Sequence, residues 1–253
     1  MKQVRLSRVV ECCDRWLKPI AVHDWEGAAN GLQVENNGRV TRIAAAVDAN
    51  LATLRRAATT RADFLLVHHG LFWTPSHPWT GVRYRQMELL MGANLAVYSS
   101  HLPLDAHPRL GNNARLCAAL GFGRLKPFFF DRDAWLGFRA EIRQPRDVLV
   151  KRLSRVLGQP VKLLPGGPSV CRRVGVVTGG AGSQLKLAAA EGVDTFITGE
   201  GPHWTHAAAE DLGLNVLYGG HYATETFGVK ALAERLAATF KLPWVFIDHP
   251  SGL

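Results

Sequence analysis

Three short stretches of the chain carry side chains able to do chemistry together. His68-His69-Gly70 ends an apolar run that starts at Phe64, His101 is followed four residues later by Asp105, and His221 is followed four residues later by Glu225. Imidazole nitrogen and carboxylate oxygen form the donor mixture that suits a divalent Fe, Mn or Zn ion, with ligand distances of roughly 2.0–2.2 Å. A spacing of four returns the second side chain to the face of the first, so each His-x-x-x-acid pair can act jointly. Neighbouring residues of a strand point to opposite faces. His68 and His69 therefore hold one ligand only if the strand has begun to turn, and otherwise serve two ligands side by side; we read the pair as serving two metals. In two-metal hydrolytic sites, ions about 3.5–4 Å apart clamp the attacking and leaving oxygens and lower the pKa of a bound water toward neutrality.

The elements that must position these groups follow from hydrophobic patterning. Phe64-Leu65-Leu66-Val67 reads as a buried strand stopped at Gly70, which puts the histidines at its C-terminal end, the edge where open α/β sheets bind ligands. Further strands are predicted at Ile43–Asp48, Leu95–His101, Val174–Thr178, Asp194–Gly201 and Asn215–His221, with helices at Ser7–Leu17, Asn50–Thr59, Asn112–Leu120, Gln184–Glu191 and Phe227–Phe240. Strand and helix alternate, so a mostly parallel sheet is expected.

The two ends of the chain match each other. The run from Asp63 to Thr74 lies over Asp194 to Thr205 with Asp, Gly, Trp and Thr coinciding and His69 facing Glu200, and Tyr98-x-x-His101-x-x-x-Asp105 lies over Tyr218-x-x-His221-x-x-x-Glu225. General likeness between α/β units does not explain why the shared positions are polar. The expectation is two pseudo-symmetric α/β halves with mostly parallel sheets, residues 1–121 and 174–253, joined by a connecting insertion at 122–173. Facing each other, the halves would bring His68, His69, His101, Asp105, Glu200, His221 and Glu225 into the cleft between them as one metal site.

Composition narrows the class. The chain has 253 residues, 47% hydrophobic and 20% charged, as expected of a soluble globular protein of one or two domains. No apolar stretch approaches the roughly 18–20 residues a membrane span needs, and the N-terminal segment carries Glu11 and Asp14 rather than a signal core, so a cytoplasmic protein is expected. The four cysteines show no C-x-x-C spacing and read as small buried hydrophobes. Lys and Arg number 30 against 21 Asp and Glu, a net charge of +9, which favours phosphate-bearing partners. The basic residues are scattered, densest from Arg143 to Arg155, a pattern more typical of a solvated face than of a nucleic-acid groove; nucleic acid is the weaker partner class.

With those motifs in view the chain resembles the Nif-three-like family of dinuclear-metal hexameric proteins, whose members are often labelled GTP cyclohydrolase type 2 homologues. The resemblance rests on His68-His69-Gly70, on Ser100-His101-Leu102-Pro103-Leu104-Asp105-Ala106-His107-Pro108 with Gly111-Asn112-Asn113, on Gly220-His221-Tyr222-Ala223-Thr224-Glu225, and on Asn30-Gly31-Leu32-Gln33-Val34, where Asn30 stands at a position often occupied by Trp. It implies His68, His69, Asp105, His221 and Glu225 as ligands of two divalent ions (Fe, Zn or Mn), with Glu225 bridging them. His101 would be a further ligand or a residue that orients one. The resemblance also implies a ring-shaped hexamer with its sites facing the interior.

Other residues could share in the same chemistry. Thr178-Gly179-Gly180-Ala181-Gly182-Ser183 could present free N–H groups to a phosphate, but it lacks Gly-Lys-Ser/Thr and reads better as a tight turn. Glu200 and His206 are candidates to move a proton beside the metals, His206 alternatively being a helix-start residue. Trp73 and Trp204, at matching repeat positions, could flank a base-sized substrate. His23, His77 and His249 read as surface residues. The expected function is a metal-dependent hydrolase acting on a nucleotide-like substrate, with Glu200 or His206 as the proton-moving residue; the alternative is a non-catalytic metal-carrying scaffold or adaptor that binds a partner protein, a cofactor precursor or nucleic acid.

Overall fold

The computed structural model describes residues 2–73 and 78–253, so the expectations for Thr74 and His77 lie outside the described residues. The chain divides into two compact units, Met1–His107 with Gly228–His249, and Pro108–Phe227 with Pro250–Leu253.

In the first unit the elements run β1 (Val4–Arg5), α1 (Leu6–Leu17), β2 (Gly31–Val34), β3 (Arg39–Val40), β4 (Ile43–Asp48), α2 (Leu51–Thr59), β5 (Phe64–His69), α3 (Gly81–Gly92), β6 (Ala96–Ser99) and α4 (Leu102–Asp105). The second unit carries α5 (Asn112–Ala119), β7 (Lys126–Asp131), β8 (Ala134–Pro145), α6 (Arg146–Leu157), β9 (Lys162–Pro165), β10 (Val170–Val176), a 3-10 turn (Ala181–Gln184), α7 (Leu185–Ala190), β11 (Thr195–Thr198), α8 (Thr205–Asp211) and β12 (Asn215–Tyr218). Helix α9 (His221–Phe240) then contributes its first residues to the second unit and the rest to the first, and β13 (Trp244–Phe246) follows.

The first sheet has the order β13-β4-β5-β6-β2, parallel throughout except for β2. Its central strands, Ile43–Asp48 and Phe64–His69, are buried along nearly their whole length because helices cover both faces of a parallel sheet, and continuous apolar runs are the sequence mark of that situation. Asn50 caps α2, its side chain accepting from the Thr53 N–H at 2.9 Å. The second sheet, β7-β8-β10-β11-β12-β9, corrects the expectation: only β10-β11 and β11-β12 are parallel, and the other three pairings are antiparallel. Residues 122–173 are likewise no separate insertion. Their strands β7, β8 and β9 hydrogen-bond into this sheet, and Leu149 and Leu153 of α6 join a core containing Cys171, Val174 and Ile197. Alternating Phe, Arg and Trp masked β7 and β8, since one face of such a hairpin meets solvent.

The internal repeat is visible in the hydrogen bonding. The Asp63 carboxylate accepts from the N–H groups of Thr41 and Arg42, and the Asp194 carboxylate accepts from those of Arg172 and Arg173. Asp63 N–H donates to the Arg42 carbonyl and Asp194 N–H to that of Arg173. Corresponding residues in the two sets are all 131 positions apart. Ala96 N–H donates to the Asp63 carbonyl as Asn215 N–H does to that of Asp194, an offset of 119, whereas His101 and His221 lie 120 apart. The second unit thus has one more residue between strand and histidine, at Gly219-Gly220. Tyr98 is therefore level with Leu217, and the tyrosines of the two blocks are not equivalent: Tyr98 is fully buried and donates to Asp14, while Tyr218 donates to Thr205.

Candidate metal centre

In the first unit, the C-terminal end of β5 supplies His68 and His69, the residue before α4 supplies His101, and the end of α4 supplies Asp105. One ligand atom from each of His68, His69 and His101 lies within 4.8 Å of the others, a spread that one ion or two adjacent ions can bridge. Both histidines lie within β5, where His69 pairs with Asp48, and their ring centroids are 4.8 Å apart. Trp73 donates its indole N–H to the Gly70 carbonyl at 2.9 Å and stands edge-on to His101 with centroids 5.0 Å apart.

Each imidazole is held by its Nδ1. His68 Nδ1 lies 2.9 Å from the Ser100 carbonyl, His69 Nδ1 2.8 Å from Asp48 Oδ1, and His101 Nδ1 2.7 Å from Asp24 Oδ1. Carbonyl and carboxylate oxygens only accept, so Nδ1 carries the proton and Nε2 keeps its lone pair for a ligand. Asp24 also accepts from Asn30 Nδ2 at 2.8 Å and from the Leu102 N–H, and Asn30 Oδ1 accepts from the His101 N–H. Burial works to raise the Asp24 carboxyl, but His101 and Asn30 outweigh it and hold the group below its ordinary range. Neither Asp24 nor Asp48 stood out in the sequence. Asn30 did, and its place here is to brace Asp24 and His101.

In the second unit, His221 opens α9 and Glu225 follows one turn on, buried to 2% exposure, with His221 Nε2 3.2 Å from Glu225 Oε2. His221 Nδ1 lies 2.7 Å from Glu200 Oε1, the pattern of the first unit again. Gly179, with φ +72°, lies beneath this group: a Cβ there would overlap the Glu225 carboxylate. Burial would lower the His221 pKa, yet Glu225 and Glu200 outweigh it and lift the imidazole to about 9.

The residues fit a divalent metal. His68 Nε2 faces Asp105 Oδ2 at 3.4 Å as His221 Nε2 faces Glu225. A nitrogen lone pair aimed at a carboxylate oxygen is repulsive unless a cation or a proton is shared between them, and a divalent ion satisfies every one of these atoms. His206 is placed otherwise. It lies on α8, its side chain about half exposed, with Nδ1 3.9 Å from Glu210 Oε2, and pairs with that residue instead of Glu200. The Gly-rich loop leads into the 3-10 turn and is tied to the loop that carries Glu200: Gly182 N–H donates to the Glu200 carbonyl at 3.0 Å and Gly199 N–H to the Gly179 carbonyl at 2.8 Å. His23 is exposed and His249 half-buried; all four cysteines are buried and free, the Cys117 thiol pushed up to about 12 by burial.

Fold and donor sets define an α/β protein whose histidine and carboxylate groups can hold metal. The chain belongs to the Duf34/NIF3 (NGG1p interacting factor 3) family, whose model matches residues 4–251. It is 40% identical over 230 residues to the GTP cyclohydrolase 1 type 2 homolog of Deinococcus radiodurans, covering 88% of this chain and 86% of that one. It is also 40% identical over 252 residues to the protein of that name from Halobacterium salinarum, covering 97% and 99%. The crystal structure of TTHA1606 from Thermus thermophilus superposes with a TM-score of 0.92 at 39% identity, covering 99% of this chain and 100% of that one. Among the described residues no helix is long and apolar enough to cross a membrane.

Proposed function

We propose that the chain is a metal-dependent hydrolase in which the donor groups of the two units serve one dinuclear centre, and that its substrate is nucleotide-like. The observation that carries this reading is the common treatment of four imidazoles: His68, His69, His101 and His221 are each anchored through Nδ1 to an oxygen acceptor, which turns each Nε2 toward a metal, at His221 in place of the proton shared with Glu225. Divalent ions (Fe, Zn or Mn) would supply an acidified water and a clamp on the atom it attacks. In this reading Asp105 and Glu225 would complete the ligand set, with Glu225 the carboxylate available to both ions. Glu200 fixes the His221 ring, and its carboxylate, with a side chain 46% exposed, is the group assigned to take up a proton. Trp73 offers a flat face beside His101 on which a base can stack.

The name carried by the curated relatives, GTP cyclohydrolase 1 type 2 homolog, supports a nucleotide substrate, as does the net charge of +9. The same reading takes the working form to be a ring-shaped hexamer in the cytoplasm. The test is turnover of GTP and a nucleotide panel by protein loaded with each metal in turn. Activity should be lost in His69→Ala and Glu225→Ala variants whose thermal unfolding remains cooperative. Absence of turnover with every metal, together with salt-dependent binding of a partner or nucleic acid, would replace the enzyme by a metal-carrying scaffold.

A further inference from the structure

Away from the histidines, the first unit contains a cavity of about 610 Å³ between α1 and the end of α9, and its charged lining is entirely cationic: Lys2, Arg5, Arg8 and Arg15. Among the described residues none of these four cations is within ion-pair distance of a carboxylate. Arg5, at the residue before α1, and Arg8 and Arg15 on it recur at intervals of three and seven, which places them on one exposed stripe beside the buried face formed by Leu6, Val9, Cys12, Cys13 and Leu17. The backbone under the stripe is fixed. Val4 and Arg5 pair antiparallel with Val40 and Arg39, and the Leu6 N–H donates to the Gly38 carbonyl at 2.8 Å. Arg15 is turned back onto the helix by a contact of 3.2 Å between its Nη2 and Cys12 Sγ.

The basic balance of the whole chain does not explain this lining. A neighbouring cavity of about 580 Å³ shares Arg5 but is lined also by Glu11 and Glu35, so there positive and negative groups offset each other. Four like charges gathered into one concavity repel one another and are stabilised by an anion placed among them. Guanidinium forks pair with phosphoryl oxygens two at a time, and a volume of several hundred Å³ suits a small molecule. Val4 and Phe240 add apolar wall for a part of the ligand that is not phosphate.

We propose that this cavity binds a small polyphosphate-bearing molecule of the nucleoside triphosphate class, at a site separate from the candidate metal centre. The concavity is open and its four cations are exposed, but Glu11 and Glu35 in the neighbouring concavity interrupt the cationic stripe on that side, which favours a small ligand over a nucleic-acid backbone. The site does not depend on the hydrolase reading, and its test avoids the metals. Full-length protein treated with a chelator is titrated calorimetrically with adenosine triphosphate, tripolyphosphate, adenosine and a single-stranded oligonucleotide. Adenosine triphosphate and tripolyphosphate should bind and adenosine should not, with affinity falling as salt rises.

The double variant Arg8→Gln/Arg15→Gln should weaken triphosphate binding at least tenfold. Arg8→Lys/Arg15→Lys, which keeps the charge, should recover part of the loss and shows that α1 still folds. Metal content should be the same in all three proteins. No heat of binding with adenosine triphosphate, equal affinity in the glutamine variant, or binding confined to the oligonucleotide would each overturn the proposal.

Discussion

The two units share a backbone plan and differ in what they place at its business end. Asp63 and Asp194 do the same work at equivalent positions, tying the start of one strand to the start of the next. At the C-terminal ends of those strands the residues part company. His69 with Asp48 as its anchor in the first unit corresponds to Glu200 and Gly179 in the second. The first unit offers three imidazoles with Asp105 beside one of them, the second one imidazole between two carboxylates. A glycine at the position of Asp48 leaves the space that the Glu225 carboxylate fills. The bonds that hold strands in register are the same in the two units, and the candidate ligands differ where side chains leave the sheet.

That contrast can be broken most severely at Gly179. Gly179→Ala forces a left-handed residue with a Cβ into the Glu225 carboxylate, so it should cost at least about 1–3 kcal/mol in denaturant unfolding and displace Glu225. Gly180→Ala, whose Cβ would meet the His221 ring at an ordinary 3.6 Å, should change stability by less than about 0.5 kcal/mol. Equal effects at the two positions would remove the packing argument. Next in size come the anchors. Asp48→Ala in the first unit and Glu200→Ala in the second leave the core untouched, and each should weaken binding of Zn or Mn by roughly 10–100-fold in calorimetric titration. Unchanged affinity in either would deny that unit's anchor its orienting role.

The smallest effects separate the units by pH in chelator-treated protein. His221 is raised from 6.5 to about 9, so the stability its protonated form contributes is complete below about 6.5 and is lost as pH climbs through 9. Asp24 is lowered from 3.8, so its contribution is present above that value and disappears as pH falls below it. Thermal unfolding should therefore show an alkaline decline that His221→Gln abolishes and an acid decline that Asp24→Asn reduces. An alkaline decline that persists in His221→Gln would show that another group is responsible.

Much of this arrangement was legible in the residues themselves. Ile43–Asp48 and Phe64–His69 are apolar runs of strand length, and the structure places strands over those same residues. The histidines and their partners at a spacing of four stood out because few other pressures put imidazole beside carboxylate at matching places in two halves. Asp24 and Asp48 were not legible. A lone acid in a Gly-rich loop or at a strand end looks like any solvated carboxylate until folding brings it to an Nδ1 from 77 or 21 positions away. The hairpin β7–β8 was missed for a related reason: its half-exposed strands interleave Phe and Trp with Arg and Asp, which dilutes the apolar signal. The same locality misled the alignment of Tyr98 with Tyr218, since a one-residue difference in a loop is invisible without the hydrogen-bond register.

The central proposal is that the imidazoles and carboxylates of both units serve one pair of ions. Elemental analysis of protein saturated with Zn or Mn and freed of excess metal tests it most directly, in the natural chain and in His69→Ala and Glu225→Ala. The account predicts two ions per chain in the natural protein and a loss of metal in each variant, one change in each unit. A single ion per chain, or two ions retained after either substitution, would contradict it.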